Sequence, residues 1–429
     1  VTHLVVREYA RLYRGTQARL LGLDHTRAEL PAAAFDALKG LLTVEDGLTA
    51  PEGVLTYGLE AGREVLRASS WVGVLETPDG TQLEILPKIL DDDTDVVRTR
   101  ATLVRMLAAL PDAPYREADV ASLDAAPLPL METFAGVFLR AVSRLVRQGL
   151  AHTYQEQALE LPALRGRLDL LRHLTAQSTR PATFHVTADE FVPDRPENRA
   201  VRAALELVRP RLTTTEHLRL HAELTFAFAD VPVSRAPLDD LRAWRLDRSH
   251  RQYAPLRPLV ELILTSRSPL TAQGTAAVPA LLYPMPDVFE AYVATCLRAD
   301  RTPDGQAVWA RVDTQLTGQH LVTQGRRTLF ALKPDLRLIS RTGVPIIADT
   351  KWKRLDPALG AQAGVSMSDL YQLFAYGQKY LGGAGCLWLI YPRTGAFRRP
   401  LPAFTYQPGL TLRVLPFDLL SGQVISEPD

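Results

Sequence analysis

Lys333-Pro334-Asp335 and, fourteen residues on from that aspartate, Asp349-Thr350-Lys351 are the residues of this chain best equipped for chemistry. Two strand-like runs, Thr328–Ile339 and Val344–Lys351, flank Ser340-Arg341-Thr342-Gly343, a pattern that predicts a β-hairpin. Folding the ribbon at that turn puts Asp335 opposite, or one place from, Asp349. Alternate residues of a strand share a face, so Asp349 and Lys351 project together. Two carboxylates and an ammonium would converge on one patch, as needed to hold a hard divalent cation against a phosphodiester. The expectation is a metal-dependent nuclease. The same Asp…Asp-x-Lys spacing also arises by chance on a surface strand, with Lys351-Trp352-Lys353-Arg354 as ordinary solvated charge.

Lysine usage bears on that choice. Of 49 basic residues only six are lysine, at 39, 88, 333, 351, 353 and 379, and four of these fall between 333 and 379. An ammonium is a compact point charge whose pKa can move, whereas guanidinium is a fixed planar fork. A chain that otherwise writes arginine and keeps Lys351 beside Asp349 points to a need for an ammonium there.

The elements that must carry these groups follow from pattern. At 429 residues the chain has room for two or three domains, each with its own core. Hydrophobic content of 46% and charged content of 23% are ordinary for a globular protein. Net charge is +1, so any contact with nucleic acid must come from a local patch or a partner. The two cysteines, Cys296 and Cys386, sit in apolar runs and suit a reducing compartment. No basic-then-apolar leader and no run of ~18–20 apolar residues is visible, so the expectation is a cytoplasmic protein with no membrane contact.

The expected fold class is multidomain α+β. Residues 1–110 read as a β-rich N-terminal domain, with Trp71–Glu76 and Gln82–Ile89 joined by Pro78-Asp79-Gly80. Residues 111–280 read as a mainly helical middle region that opens with a linker, Pro111–Pro129. Helices are expected near Met131–Gln148 (stopped by Gly149), Arg195–Val208, Thr215–Ala222 and Tyr253–Thr265, with a strand near Thr183–Thr187. Residues 281–429 read as an α/β domain with a mixed sheet. Its order is a helix (Asp287–Ala299), strands (Ala307–Thr314, Leu329–Ile339, Val344–Lys351), a helix (Ser368–Tyr380), a strand (Gly385–Tyr391) and two further strand-like runs.

In the helix after the hairpin, Asp369, Gln372 and Tyr376 share one face. Gln372 and Tyr376 could touch backbone phosphate or orient the acids. Read alone, Tyr371, Phe374 and Tyr376 are better suited to a core. Glu290, in an amphipathic helix, could serve as an outer metal ligand or simply be solvated. His217 and His221 have a zinc-chelating i, i+4 spacing but lack the glutamate of zinc hydrolases, and a structural helix face is the better reading. Arg165, Arg167, Arg195 and Arg199 are individually weak signals among 43 arginines.

Pro334-Asp335, Asp349-x-Lys351 and Gln372-x-x-x-Tyr376 together resemble the PD-(D/E)xK nuclease superfamily. Leu83-Glu84-Ile85-Leu86-Pro87-Lys88-Ile89, Gly149-Leu150 with Tyr154, Leu164-Arg165-Gly166-Arg167-Leu168-Asp169 and Glu197-Asn198-Arg199 are similar to the McrC family. So are Pro286–Leu297, Ala348–Lys353 and Asp369–Tyr376, so the resemblance spans nearly the whole chain. It implies a restriction-endonuclease-like C-terminal domain and a partner, a McrB-like AAA+ GTPase hexamer. That partner recognises and translocates modified double-stranded DNA, and the McrC-like subunit stimulates its GTP hydrolysis. Consistent with a separate motor, Gly382-Gly383-Ala384-Gly385 lacks the lysine and hydroxyl of a phosphate-binding loop, so no nucleotide is expected on this chain.

The expected chemistry assigns Asp335, Asp349 and the Thr350 backbone carbonyl to Mg²⁺, with Mn²⁺ able to substitute, and Glu290 to an outer position. Lys351 would orient or help deprotonate the attacking water, and Gln372 and Tyr376 would position DNA phosphates. Two other classes share the same residues: a non-catalytic adaptor of an AAA+ motor, and a stand-alone structure-specific nuclease.

Overall fold

The computed structural model describes residues 2–40, 42, 53–88, 95–111, 128–176, 183–245, 248–265, 280–358 and 363–426. Residues 112–127 of the expected linker, and Ile89 at the end of an expected strand, lie outside them. The chain is a mixed α/β protein with several sheets and, among the described residues, ten α-helices. It divides into two compact units, Val1–Leu130 with Arg267–Asp429, and Met131–Ser266.

The first unit begins with β1 (Thr2–Arg7), β2 (Arg11–Gly15), β3 (Arg19–Leu20), β4 (Arg27–Pro31) and α1 (Ala32–Gly40). There follow β5 (Leu55–Glu60), β6 (Arg63–Ala68), β7 (Trp71–Glu76), β8 (Thr81–Leu86) and α2 (Val96–Leu107). Strands β3-β4-β2-β6-β5 form one sheet, and β1, β8 and β7 belong to another. Leu4, Val6, Leu12, Leu30, Phe35, Leu66, Leu83 and Ile85 pack one core between them. β8 is buried along its whole length and carries Glu84 in its middle. That carboxylate is paired by Arg100 of α2 at 2.5 Å and by His3 at 2.8 Å, as a buried charge must be.

The second unit holds α3 (Leu130–Gln148), β9 (Thr153–Leu161), β10 (Arg167–Leu168), α4 (Leu170–Ala176) and β11 (Phe184–Val192). It continues with α5 (Pro196–Val208), α6 (Thr215–Ala227), α7 (Pro237–Ala243) and α8 (Leu256–Thr265). The expected helices are all present. The strand expected near Thr183–Thr187 is longer, and it pairs antiparallel with β9 from Phe184↔Leu161 to Val192↔Thr153. β9 escaped the sequence reading because its alternation is between half-buried and exposed residues, so it has no apolar stripe. Gly166 approaches β11 so closely that a Cβ would stand 2.5 Å from the Thr187 carbonyl, and its φ is +78°. Asn198 is fully buried and donates to the Ala151 and Pro193 carbonyls while accepting from Tyr253, so Glu197-Asn198-Arg199 acts as a structural staple. His217 Nδ1 bonds Glu132 and His221 Nε2 bonds the Leu205 carbonyl, which gives both histidines structural partners.

The chain then re-enters the first unit. β12 (Ala280–Pro284) pairs antiparallel with β7, completing the order β1-β8-β7-β12. Gly73 makes this possible: a Cβ there would lie 1.8 Å from the Leu281 carbonyl. After α9 (Met285–Ala299) come β13 (Trp309–Thr314), β14 (Gln319–Gln324), β15 (Arg327–Leu332), β16 (Leu336–Ser340), β17 (Pro345–Thr350) and α10 (Met367–Tyr380). The last strands are β18 (Gly385–Pro392), β19 (Phe404–Gln407), β20 (Leu410–Asp418) and β21 (Gln423–Val424). The seven-stranded sheet runs β13-β16-β17-β18-β20-β19, with β21 on β20. β17, β18 and β20 are parallel and the rest antiparallel. β18 is apolar throughout, as a central strand covered on both faces must be. Ile347, Leu387, Leu389, Leu412 and Val414 pack with Leu373 and Tyr376 of α10 on one face. On the other, Phe289 and Tyr292 of α9 meet Phe417 edge-on.

One expected element is corrected. Thr328–Ile339 is two strands, because β15 pairs with β14 in a separate ribbon and only β16 pairs with β17. Pro334 interrupts the run: it lacks the N–H a ladder needs, and its carbonyl and that of Asp335 accept from Leu316 and Gln315 instead. No helix of the described residues is long and apolar enough to cross a membrane.

Candidate active site

β16 and β17 pair with Leu336 opposite Ala348, and the same register carried one residue further sets Asp335 opposite Asp349. The break at Pro334 frees the Asp335 side chain to turn back on the strand. Thr350 donates to Asp335 Oδ2 from both its backbone N–H and its hydroxyl, each at 2.7 Å. A strand residue sends its N–H and C=O to the same side, so the Thr350 carbonyl faces the same edge.

Asp349 is 1% exposed. Lys351 Nζ lies 2.6 Å from Asp349 Oδ2, but the angle leaves that buried oxygen without a directed hydrogen bond. α10 supplies the other wall. Its start is capped by Ser366, whose hydroxyl accepts from the Asp369 N–H at 3.2 Å. One turn on, Gln372 Oε1 accepts from Lys351 Nζ at 3.1 Å, and Gln372 Nε2 donates to the Tyr376 hydroxyl at 2.8 Å. Tyr376 in turn donates to the Lys333 carbonyl at 3.1 Å. A continuous chain of contacts thus runs from Asp349 through Lys351, Gln372 and Tyr376 back to the residue before Pro334. Tyr376 is both a core aromatic and a member of this chain. Asp369 is buried and receives Lys353 Nζ at 3.4 Å and the Tyr391 hydroxyl at 3.2 Å.

From the opposite face of the sheet, α9 offers Asp287 and Glu290, one helical turn apart. Glu290 Oε1 accepts from Gln315 Nε2 at 2.6 Å, and the Gln315 N–H donates to the Asp335 carbonyl at 2.9 Å. Burial, then the charge of Asp335, pushes Glu290 up to about 7, and the same two causes raise Asp287.

Burial raises Asp349 to about 7, and Asp335 adds to the rise against the pull of Lys351. Burial also raises Asp335, opposed by its hydrogen bonds from Thr350 and by Lys351. For Lys351, burial alone would lower the pKa, but Asp349, then Asp335 and Asp369, hold it above its ordinary value. The carboxylates therefore favour the protonated ammonium of Lys351.

Burial raises all four carboxyls, and the charge of Asp335 adds to the rise of Asp349, Glu290 and Asp287, so a bound cation would lower the cost of ionising them. Asp335, Asp349 and the Thr350 carbonyl fit Mg²⁺, which takes one or two carboxylates and completes its shell with waters. Among the described residues no three His, Cys, Asp or Glu side chains are grouped as a ready-made metal cage. Glu290 is held instead by Gln315.

Asp287 and Gln315 were not singled out from sequence. The i, i+3 spacing of Asp287 and Glu290 is a signal that could have found the first. Gln315 has none, since the bond it makes depends on the break at Pro334.

A family model described as McrBC 5-methylcytosine restriction system component matches residues 66–392. Among solved structures, the chain is similar to one from a refined half-complex of the tetradecameric assembly of Thermococcus gammatolerans McrB AAA+ hexamers with bound McrC. The TM-score is 0.66 at 17% identity, over 99% of this chain and 97% of that one. A chain of the Thermococcus gammatolerans McrBC complex, solved by cryo-EM, gives a TM-score of 0.47 at 20% identity, over 68% of this chain and 86% of that one. No curated relative matches the chain.

Proposed function

Because the chain belongs to the family of McrBC 5-methylcytosine restriction system components, we propose that it is the McrC-type nuclease subunit, which hydrolyses DNA phosphodiesters with Mg²⁺. The observation that carries this reading is the convergence of Asp335, Asp349 and Lys351 at the end of β17, with Lys351 2.6 Å from Asp349. A seven-stranded mixed sheet covered by α9 and α10 supports a restriction-endonuclease-like PD-(D/E)xK domain over residues 281–429. Residues 1–110 engage the partner and 111–280 form the middle region.

The partner is a McrB-like AAA+ GTPase hexamer, which recognises and moves modified double-stranded DNA and whose hydrolysis this chain stimulates. The fold shared with a chain from an assembly of McrB hexamers with bound McrC supports that choice. The complex works in the cytoplasm.

Asp335, Asp349 and the Thr350 carbonyl would hold the cation, with Glu290 as an outer ligand. When bound, Mg²⁺ neutralises the phosphodiester and lowers the pKa of an attacking water. Lys351 exchanges part of its hold on Asp349 for the phosphate oxygens and offsets the charge that builds there. Gln372 keeps the ammonium aimed, and Tyr376 fixes Gln372 against the Lys333 carbonyl. Gln372, half-buried, keeps an amide hydrogen for the backbone phosphate, while the buried Tyr376 hydroxyl acts by holding Gln372.

The test is cleavage of modified duplex DNA with Mg²⁺, with and without an AAA+ partner and GTP. Cutting that needs all components supports the reading. GTP hydrolysis stimulated without any cutting would identify an adaptor, and cutting by the chain alone a stand-alone nuclease.

A further inference from the structure

Beside the acid pair lies an open cleft of about 510 Å³, lined by Arg311, Asp313, Gln315, Arg337, Lys379 and Tyr380 among others. Three cationic side chains and one carboxylate line it. Asp313 is shared, taking Arg311 Nε at 2.6 Å on one oxygen and Arg337 Nη2 at 2.7 Å on the other. Burial opposes ionisation of Asp313, but the two guanidiniums prevail and hold it below its ordinary range. One carboxylate thus fixes two planar forks side by side on neighbouring strands, with donors of each left for another acceptor. Lys379 is exposed in the last turn of α10, and Tyr380 is pinned where its hydroxyl donates to the Leu332 carbonyl at 2.9 Å.

The cleft and the acid pair share a wall. Gln315 lines the cleft, donates from its backbone to the Asp335 carbonyl and from its side chain to Glu290. α10 also carries groups of both, Gln372 and Tyr376 at the acid pair and Lys379 at the cleft. The lining is polar and cationic rather than apolar, which suits a highly charged and solvated ligand. The chain as a whole has a net charge of only +1, so attraction for a polyanion has to be local.

We propose that this cleft binds the phosphodiester backbone of the DNA strand beside the bond under attack, with Arg311, Arg337 and Lys379 as its phosphate contacts. The ligand class rests on the nuclease reading above, while the phosphate contacts themselves do not depend on Lys351 or on metal.

The experiment measures binding of a short fluorescent duplex to the full chain carrying Asp349→Asn, without divalent metal, across a salt series. Arg311→Ala and Lys379→Ala are added singly and together. Both side chains are exposed, so folding is kept, and thermal melting checks it. Each substitution should weaken binding several-fold and lower the salt slope by about one, the loss of one phosphate contact. Inorganic phosphate should compete only at concentrations far above those of the duplex. Unchanged affinity and slope in the double variant would overturn the proposal. Failure of the wild-type chain to cut DNA with its partner would instead count against the nuclease reading, and leaves the binding result standing.

Discussion

Glu8 and Trp352, 344 residues apart in sequence, are joined in the core of the first unit: the Trp352 indole N–H reaches both Glu8 carboxyl oxygens, at 3.1 and 3.0 Å. Glu8 also accepts from the Ser70 hydroxyl and the Lys88 backbone. Trp352 directly follows Lys351, and its ring packs at 5.3 Å on Phe289, the neighbour of Glu290. A residue at the end of the first strand therefore helps set where the ammonium-bearing backbone lies.

Burial pushes Glu8 up to about 7, even against those hydrogen bonds. An acid raised in the folded state gives most stability when it is protonated in both states, below about 4.5, and loses it as pH rises toward 7. Glu8→Gln should therefore flatten the stability change between these pH values. Relative to wild type, the variant gains on going from pH 4.5 to pH 8, by as much as about 3 kcal/mol before the lost indole contact is counted. Denaturant melts of both proteins at the two pH values check this. A constant difference between them contradicts it.

Substituting Asp349 by Ala, or Lys351 by Ala, should abolish cleavage and leave folding and partner binding intact. The measurement is a DNA-cutting assay beside a melting curve and a partner pull-down. Residual cutting by purified Asp349→Ala in the presence of the partner contradicts the assignment.

A Mg²⁺ bound at Asp335 and Asp349 would relieve their repulsion, so adding it should raise the melting temperature of the wild-type chain and not that of Asp349→Ala. Chelation should remove both the shift and the cutting. A thermal-shift titration reads the first without relying on activity. Equal shifts in the two proteins would place the cation elsewhere.

Gln372→Ala frees the Lys351 ammonium from one of its two supports and should slow cleavage ~10–100-fold, as loss of an orienting partner does at metal sites. Tyr376→Phe, which keeps the ring in the core but drops the hydroxyl behind Gln372, should cost less. Single-turnover rates at saturating DNA separate this positioning effect from weaker binding.

Arg100→Met strands the buried Glu84 carboxylate with only His3. Breaking a buried pair from one side costs about 3–5 kcal/mol. Urea unfolding of the variant at neutral pH should show a loss of that order, smaller at pH 4 where Glu84 can protonate.

The acid hairpin was legible because its information is local. A strand alternates with a period of two, and a four-residue turn between two apolar runs fixes the pairing, so Asp349, Lys351 and Asp335 fall together from sequence alone. The helical faces of α9 and α10, and with them Glu290, Gln372 and Tyr376, were legible for the same reason. Long-range pairings were not. β12 joins β7 across some 200 residues because Gly73 leaves room for its backbone. β9 has no apolar stripe to announce it, and Pro334 turned one expected strand into two. Glu8 under Trp352, Gln315 between Glu290 and Asp335, and the paired guanidiniums on Asp313 depend on which distant segments the core brings into contact. Periodicity thus set the chemical groups on their own elements, while burial and charge, which exist only once those elements pack, decided their partners and their protonation.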